Sequence, residues 1–224
     1  MKKFALIVAG GSGKRMNQET PKQFVEVEGK PILMHTMEAF LNADPDFHFI
    51  VVLPENLMEK WKTTCKEYNF SNPQSVAIGG STRFHSVKNG LKKINEEGIV
   101  FIHDGVRPLV SVKTIENCYK MAVKTGNALP VISPSESVRR VVNDKNKAVD
   151  RTKYFLVQTP QTFKVSLIKK AFDRDYNEKF TDDASVLENY GKEIHLVEGN
   201  RENIKITFPE DLAFAKVYLQ TKTS

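Results

Sequence analysis

Phe4-Ala5-Leu6-Ile7-Val8 runs without a break into Ala9-Gly10-Gly11-Ser12-Gly13-Lys14-Arg15-Met16-Asn17-Gln18-Glu19-Thr20-Pro21-Lys22-Gln23-Phe24. A short apolar run followed by glycines reads as a buried strand opening into a loop. Glycines in such a loop let main-chain N–H groups approach an anion closely. Lys14, Arg15 and Lys22 are spaced to clamp a polyphosphate, so the stretch predicts an α/β fold that handles a nucleotide. Two common phosphate loops do not fit. One needs a serine or threonine directly after Gly13-Lys14, where Arg15 stands; the dinucleotide fingerprint needs a glycine where Met16 stands.

Outward from this loop, strand-like runs at 4–8, 48–53, 75–78, 99–103, 128–132 and 193–197 alternate with amphipathic segments at 31–41, 57–68, 83–94 and 113–124. That alternation predicts a mostly parallel twisted sheet with helices on both faces, in one domain over 1–224. Thr207-Phe208-Pro209-Glu210 has the form of a capping box opening a last helix through Tyr218. In open sheets of this kind ligands bind at the carboxyl ends of the strands, where the glycine loop and His103-Asp104 both fall. Between Ser133 and Gln161 the rhythm breaks. Residues 138–142 and 147–151 flank an Asn/Asp-rich turn and read as a β-hairpin. With little to bury against its own domain, the segment at about 135–158 is expected to protrude, either as a dimerisation arm or as a surface loop.

The chain has 224 residues, 40% apolar and 27% charged, with a net charge of +6. That charge suits polyanionic partners without choosing among nucleotides, sugar phosphates and nucleic acid. Cys65 and Cys118 have no metal-site spacing and read as reduced thiols. The apolar run at the start enters the glycine loop rather than a cleavage site. No stretch approaches the length of a membrane span, so a cytoplasmic protein without a membrane partner is expected.

Further blocks carry a resemblance. They are Gly79-Gly80-Ser81-Thr82-Arg83-Phe84-His85-Ser86-Val87, His103-Asp104-Gly105-Val106-Arg107-Pro108, Asp150-Arg151, Gln158-Thr159-Pro160-Gln161, Thr181-Asp182-Asp183-Ala184-Ser185 and Asn203-Ile204-Lys205-Ile206-Thr207. With the Ala9–Phe24 stretch they resemble, in order along nearly the whole chain, the sugar-phosphate cytidylyltransferases. The resemblance implies a Rossmann-like nucleotidyltransferase that joins CTP to a sugar-alcohol phosphate with release of pyrophosphate. Thr181 and its neighbours, with Asp150-Arg151, lean toward methylerythritol phosphate as acceptor; ribitol 5-phosphate is the alternative. A different class, a non-catalytic nucleotide- or nucleic-acid-binding protein, has only the net charge behind it, and no nucleic-acid partner is expected.

The resemblance also implies roles. Arg15 and Lys22 would stabilise charge at the α-phosphorus, while Lys14 supports the β- and γ-phosphates. Ala9, Gly10, Gly11, Gly13, Gly80, Ser81 and Ser86 would line the nucleotide. On the acceptor side would stand Asp104, Arg107, Arg151, Thr159, Thr181 and Lys205, with Arg151 reaching from a second copy in a homodimer. Magnesium would accompany CTP, held chiefly by its phosphates. Several of these residues have plainer readings: Ser86 as a helix-surface serine, Arg107 as a salt bridge to Asp104, Thr181 as a helix N-cap. Gly105 stands where the family usually has alanine, which implies added flexibility there.

Overall fold

The side chains of the first strand alternate between two cores, one under each face of the sheet. The computed structural model describes residues 1–10, 20–72 and 74–223. The elements begin with β1 (Lys2–Val8), a 3-10 turn at Lys22–Phe24, a small hairpin of β2 (Glu26–Val27) and β3 (Lys30–Pro31), and α1 (Ile32–Leu41). Then follow β4 (His48–Leu53), α2 (Met58–Glu67), β5 (Gln74–Ile78), α3 (Arg83–Leu91), β6 (Gly98–Asp104), α4 (Val112–Thr125) and β7 (Asn127–Ile132). The remainder is β8 (Arg139–Val142), β9 (Lys145–Ala148), β10 (Leu156–Val157), β11 (Gln161–Lys164), α5 (Val165–Phe172), α6 (Asp183–Asn189), β12 (Leu196–Glu198) and α7 (Pro209–Thr223).

The main sheet has the order β5-β4-β1-β6-β11-β7-β10, with β12 also paired to β7. β5, β4, β1 and β6 are parallel, while β11 runs antiparallel between β6 and β7. Ala5 and Ile7 of β1, Phe49 and Val51 of β4, and Ile99 and Phe101 of β6 pack beneath α1, α2 and α4. The alternate residues Phe4, Leu6, Ile50, Val52, Val100 and Ile102 pack beneath α3, α5 and α6. A period of two on strands covered on both faces gives continuous apolar runs, as the sequence shows. Each large side chain buried this way contributes about 1.5–3 kcal/mol.

The forecast strands and helices are all present, with local differences that have physical causes. The last strand is Leu196–Glu198 rather than 193–197. Asn127 donates from its side chain to the Glu193 carbonyl (2.8 Å) and accepts from the His195 N–H (2.9 Å), so ahead of Leu196 a side chain takes most of the bonds a ladder would make, beside one main-chain bond from the Leu129 N–H to the His195 carbonyl (2.9 Å). The hairpin is tighter than expected: Asn143 and Asp144, both at positive φ (47° and 61°), make a two-residue turn between β8 and β9. All eight residues of those strands are exposed, and the two strands pair only with each other. The last helix starts at Pro209, but the carboxylate closing its first turn is Asp211, not Glu210; it accepts from the N–H groups of Thr207 (2.7 Å) and Phe208 (2.8 Å). β11, α5 and α6 were not forecast: β11 has one large apolar residue in four, and the two helices, of eight and seven residues, are too short for a helical period to stand out.

Candidate active site

The carboxyl ends of β1, β5 and β6 meet at one end of the sheet. Where β1 ends, the Ala9 N–H donates to the Val52 carbonyl, and the Ala9 carbonyl accepts from Nε2 of buried Gln23, both at 2.9 Å. The exit into the glycine loop is thereby pinned from both sides. Gln23 and Phe24 are the buried members of the 3-10 turn that begins at Lys22, and Phe24 packs on Trp61 of α2 with ring centroids 6.2 Å apart. Lys22 is thus carried on an anchored turn. Gly11, Gly13, Lys14 and Arg15 lie outside the described residues.

Beyond β5, Gly79 donates to the Leu53 carbonyl at 2.7 Å. The Gly80 N–H donates to Ser86 Oγ and that hydroxyl donates to the Thr82 carbonyl, each at 3.0 Å. A Cβ on Gly80 would fall 2.3 Å from the Cβ of His85, so this approach admits only glycine. A Cβ on Gly10 would lie 3.6 Å from Ser86 Oγ, which places the two loops face to face. Ser86 is therefore a buried, bonded hydroxyl rather than a surface one, with its proton already spent and acceptor capacity remaining. Ser81 is exposed at the rim, its hydroxyl 3.2 Å from Nδ1 of His85.

At the end of β6, Asp104 gathers three cations: Lys205 Nζ at 3.0 Å, Arg107 Nε at 3.3 Å and Arg83 Nε at 3.7 Å. Burial pushes the Asp104 carboxyl up, but Arg83, Lys205 and Arg107 together outweigh it and hold the group well below the usual carboxylate range. Asp104 is accordingly ionised and can only accept hydrogen bonds. Its main-chain N–H donates to Thr159 Oγ1 at 3.1 Å, and the Thr159 hydroxyl lies 2.9 Å from Nδ1 of His103. The Arg107 carbonyl, 3.0 Å from Nε2 of His103, only accepts, so Nε2 carries the proton and Nδ1 accepts from Thr159. Burial pushes His103 down to about 4, and a neutral ring is what this relay requires.

The residues expected on the acceptor side thus divide. Asp104, Arg107 and Lys205 come together, Arg107 also donating to the Asn203 carbonyl at 2.7 Å. Thr159 is buried and serves the Asp104 main chain and His103. Thr181 is exposed just outside α6 and is not its cap. Asp182 caps that helix, accepting from Ser185 N–H at 2.8 Å while Ser185 Oγ accepts from Asp182 N–H at 3.1 Å. Arg151 lies at the base of the arm and donates to the Ser135 carbonyl; among the described residues no ion pair joins it to Asp104. Gly105 is not a flexible point: its N–H is bonded to the Val8 carbonyl, its own carbonyl accepts from Thr36, and a Cβ there would sit 3.0 Å from that of Ala9.

Sequence reasoning did not pair Arg83 with Asp183. Arg83 forks onto Asp183 with Nη1–Oδ1 at 2.7 Å and Nη2–Oδ2 at 2.8 Å. A signal was available. A cation in the first turn of a helix opposes the helix dipole, so an arginine directly after the Thr82 cap calls for a carboxylate partner. Among the described residues no group of three or more His, Cys, Asp or Glu side chains could hold a metal ion. Asp104, facing three cations, is poorly placed to capture a divalent ion by itself.

Residues 4–221 match the family model described as 2-C-methyl-D-erythritol 4-phosphate cytidylyltransferase. The protein of that name from Bacteroides thetaiotaomicron is 49% identical over 219 residues, which cover 98% of this chain and 100% of the relative. That from Bacteroides fragilis is 50% identical over 215 residues, covering 96% and 98%. Among solved structures, the 4-diphosphocytidyl-2C-methyl-D-erythritol synthase of Anaerococcus prevotii superposes with a TM-score of 0.83 at 27% identity, covering 98% of this chain and 96% of that one. The 2-C-methyl-D-erythritol 4-phosphate cytidylyltransferase of Francisella tularensis gives 0.79 at 32% identity, covering 97% and 99%.

Proposed function

This chain belongs to the 2-C-methyl-D-erythritol 4-phosphate cytidylyltransferase family, and on that premise we propose how its residues divide the work. The enzyme transfers the cytidylyl group of CTP to 2-C-methyl-D-erythritol 4-phosphate, giving 4-diphosphocytidyl-2-C-methyl-D-erythritol and pyrophosphate. An acceptor phosphate oxygen bonds to the α-phosphorus as the bond to the bridging α–β oxygen breaks. The acceptor phosphate has its second pKa near 6 and is largely a dianion at neutral pH, so it needs no general base. The barrier lies in bringing two polyanions together and in the charge on the five-coordinate phosphorus, which cations and fixed dipoles lower.

In our reading Ala9, Gly10, Gly80, Ser81 and Ser86 form the shelf for the cytosine nucleotide, continued by Gly11 and Gly13. Lys14 supports the outer phosphates, and Arg15 and Lys22 meet the charge at the α-phosphorus. Asp104 orients acceptor hydroxyls, Thr181 adds a hydroxyl at the rim, and Lys205 takes the acceptor phosphate. Arg107 and Thr159 hold Asp104 in place. Magnesium, bound to the phosphates, would neutralise part of their charge. The observation that carries this reading is the gathering of Lys205, Arg107 and Arg83 on Asp104 at the same sheet end as the Gly80–Ser86 shelf.

We further assign Arg151 to the active centre of a second copy in a homodimer built around the 135–158 segment. Tyr154, Phe155, Leu156 and Val157 are consecutive exposed apolar residues, Leu156 at 52%, and Phe155 lines one surface pocket with exposed Leu196. A surface of that kind supports an interface. Both cysteines are free, which supports a reducing, cytoplasmic setting. The test is pyrophosphate release from CTP with magnesium and each acceptor in turn. Turnover with 2-C-methyl-D-erythritol 4-phosphate is expected; turnover with ribitol 5-phosphate alone would overturn the assignment.

A further inference from the structure

Arg83 touches both halves of this site. It stands at the first position of α3, whose cap Thr82 accepts the Ser86 hydroxyl proton at its carbonyl, so its main chain moves with the nucleotide shelf. Its two terminal nitrogens are taken by Asp183, whose side chain is 1% exposed, and its Nε faces Asp104 Oδ1 at 3.7 Å. Asp183 opens α6, directly after the Asp182 cap and two residues after Thr181. The start of α6 is itself clamped to β11: Gln161 Nε2 donates to Asp182 Oδ2 (2.9 Å) and the Ala184 N–H donates to Gln161 Oε1 (2.8 Å). A planar guanidinium held at both terminal nitrogens cannot turn without breaking two charged hydrogen bonds.

We propose that Arg83, locked by Asp183, is a positioning residue that sets the acceptor groups Asp104 and Thr181 at a fixed distance from the nucleotide shelf. It occupies the Oδ1 side of Asp104, which leaves Oδ2 to Arg107 and Lys205. A lysine would keep the charge but lose the fork. This inference rests on the division of the site proposed above.

The test uses Arg83→Lys, Asp183→Asn and the double variant in the full chain, with CTP and magnesium. Acceptor KM is read from pyrophosphate release, CTP Kd from titration without acceptor, and folding from thermal melts. Each single variant should raise acceptor KM about tenfold or more, because small misplacements of reacting groups are costly. CTP Kd should stay within about threefold, and the double variant should be no worse than the worse single, since both break one bridge. Unchanged acceptor KM, additive losses, or acceptor KM and CTP Kd rising together with a fall in melting temperature would overturn it. Arg83→Lys keeps the test open if Asp183→Asn does not fold. Wild-type enzyme without turnover would sink the functional reading instead. A rise in CTP Kd alone, with normal melting, would likewise overturn the positioning role.

Discussion

Lys205 lies 3.0 Å from Asp104, yet 43% of its side chain remains exposed, whereas Asp104 is 10% exposed. The half-exposed ammonium can turn toward a phosphate dianion while Arg83 and Arg107 still face the buried carboxylate. Arg107, at 13% exposure and tied to the Asn203 carbonyl, stays behind to keep Asp104 ionised. On the nucleotide side, Lys22 sits on a turn anchored by Phe24 and Gln23, as a group meeting transient charge should. Lys22→Ala is expected to lower kcat by about 10²–10³-fold with a far smaller change in CTP affinity, and Arg15→Ala to do the same on the strength of the family likeness. Steady-state kinetics with a separate CTP titration check this. Equal losses in affinity with kcat intact would make these residues ground-state clamps.

Among the elements, those with long apolar or amphipathic runs are legible from their residues alone. β4 matches its forecast residue for residue, and β1, β5, β6 and β7 lie within two residues of theirs. The strand-end rule put the start of the glycine loop, Ala9-Gly10, and Asp104 at one end of the sheet, as observed; the rest of that loop lies outside the described residues, and Gly79-Gly80 join them without having been forecast there. What could not be read was pairing between distant side chains: the Arg83–Asp183 fork joins residues one hundred positions apart, and the Asn127 clamp displaced β12. Thr181 and Asp182 are both good caps by type, and only the Ser185 contact decides between them.

The β8–β9 arm was legible as a hairpin because its turn residues tolerate positive φ. Val141 and Val142 on it are 66% and 50% exposed, and the Val149 N–H closes its base onto the Val138 carbonyl at 3.1 Å. Deleting residues 139–147 should therefore leave the melting temperature of the domain within a few degrees while weakening self-association. Sedimentation across micromolar concentrations checks it; an undiminished dimer after deletion would exclude the arm from the interface.

For the molecule as a whole, acid sensitivity follows from the buried relay beneath the site. His103 titrates at about 4 in the folded protein, below the ordinary 6.5 of an unfolded chain. Above pH 6.5 both states are neutral and the residue has no effect. As pH falls from 6.5 toward 4 the unfolded chain takes up the proton first, so stability drops by at most ~3 kcal/mol. Asp104, held low by its cations after burial is overcome, contributes stability above its ordinary 3.8 and loses it only at lower pH. Denaturant melts at pH 7, 5.5 and 4.5 should show this loss, with a shallower slope in His103→Gln; identical slopes would remove His103 as the cause.

The central claim at this scale is that one active centre draws on two copies of the chain. Lys22→Ala protomers mixed with Arg151→Ala protomers test it at limiting acceptor concentration, after dissociation and reassembly. If Arg151 serves the partner's centre, each mixed dimer holds one centre with both residues intact, and random mixing restores about a quarter of wild-type turnover. If Arg151 serves its own chain, every centre in the mixture is damaged and activity stays at the average of the two parents, which would contradict the account.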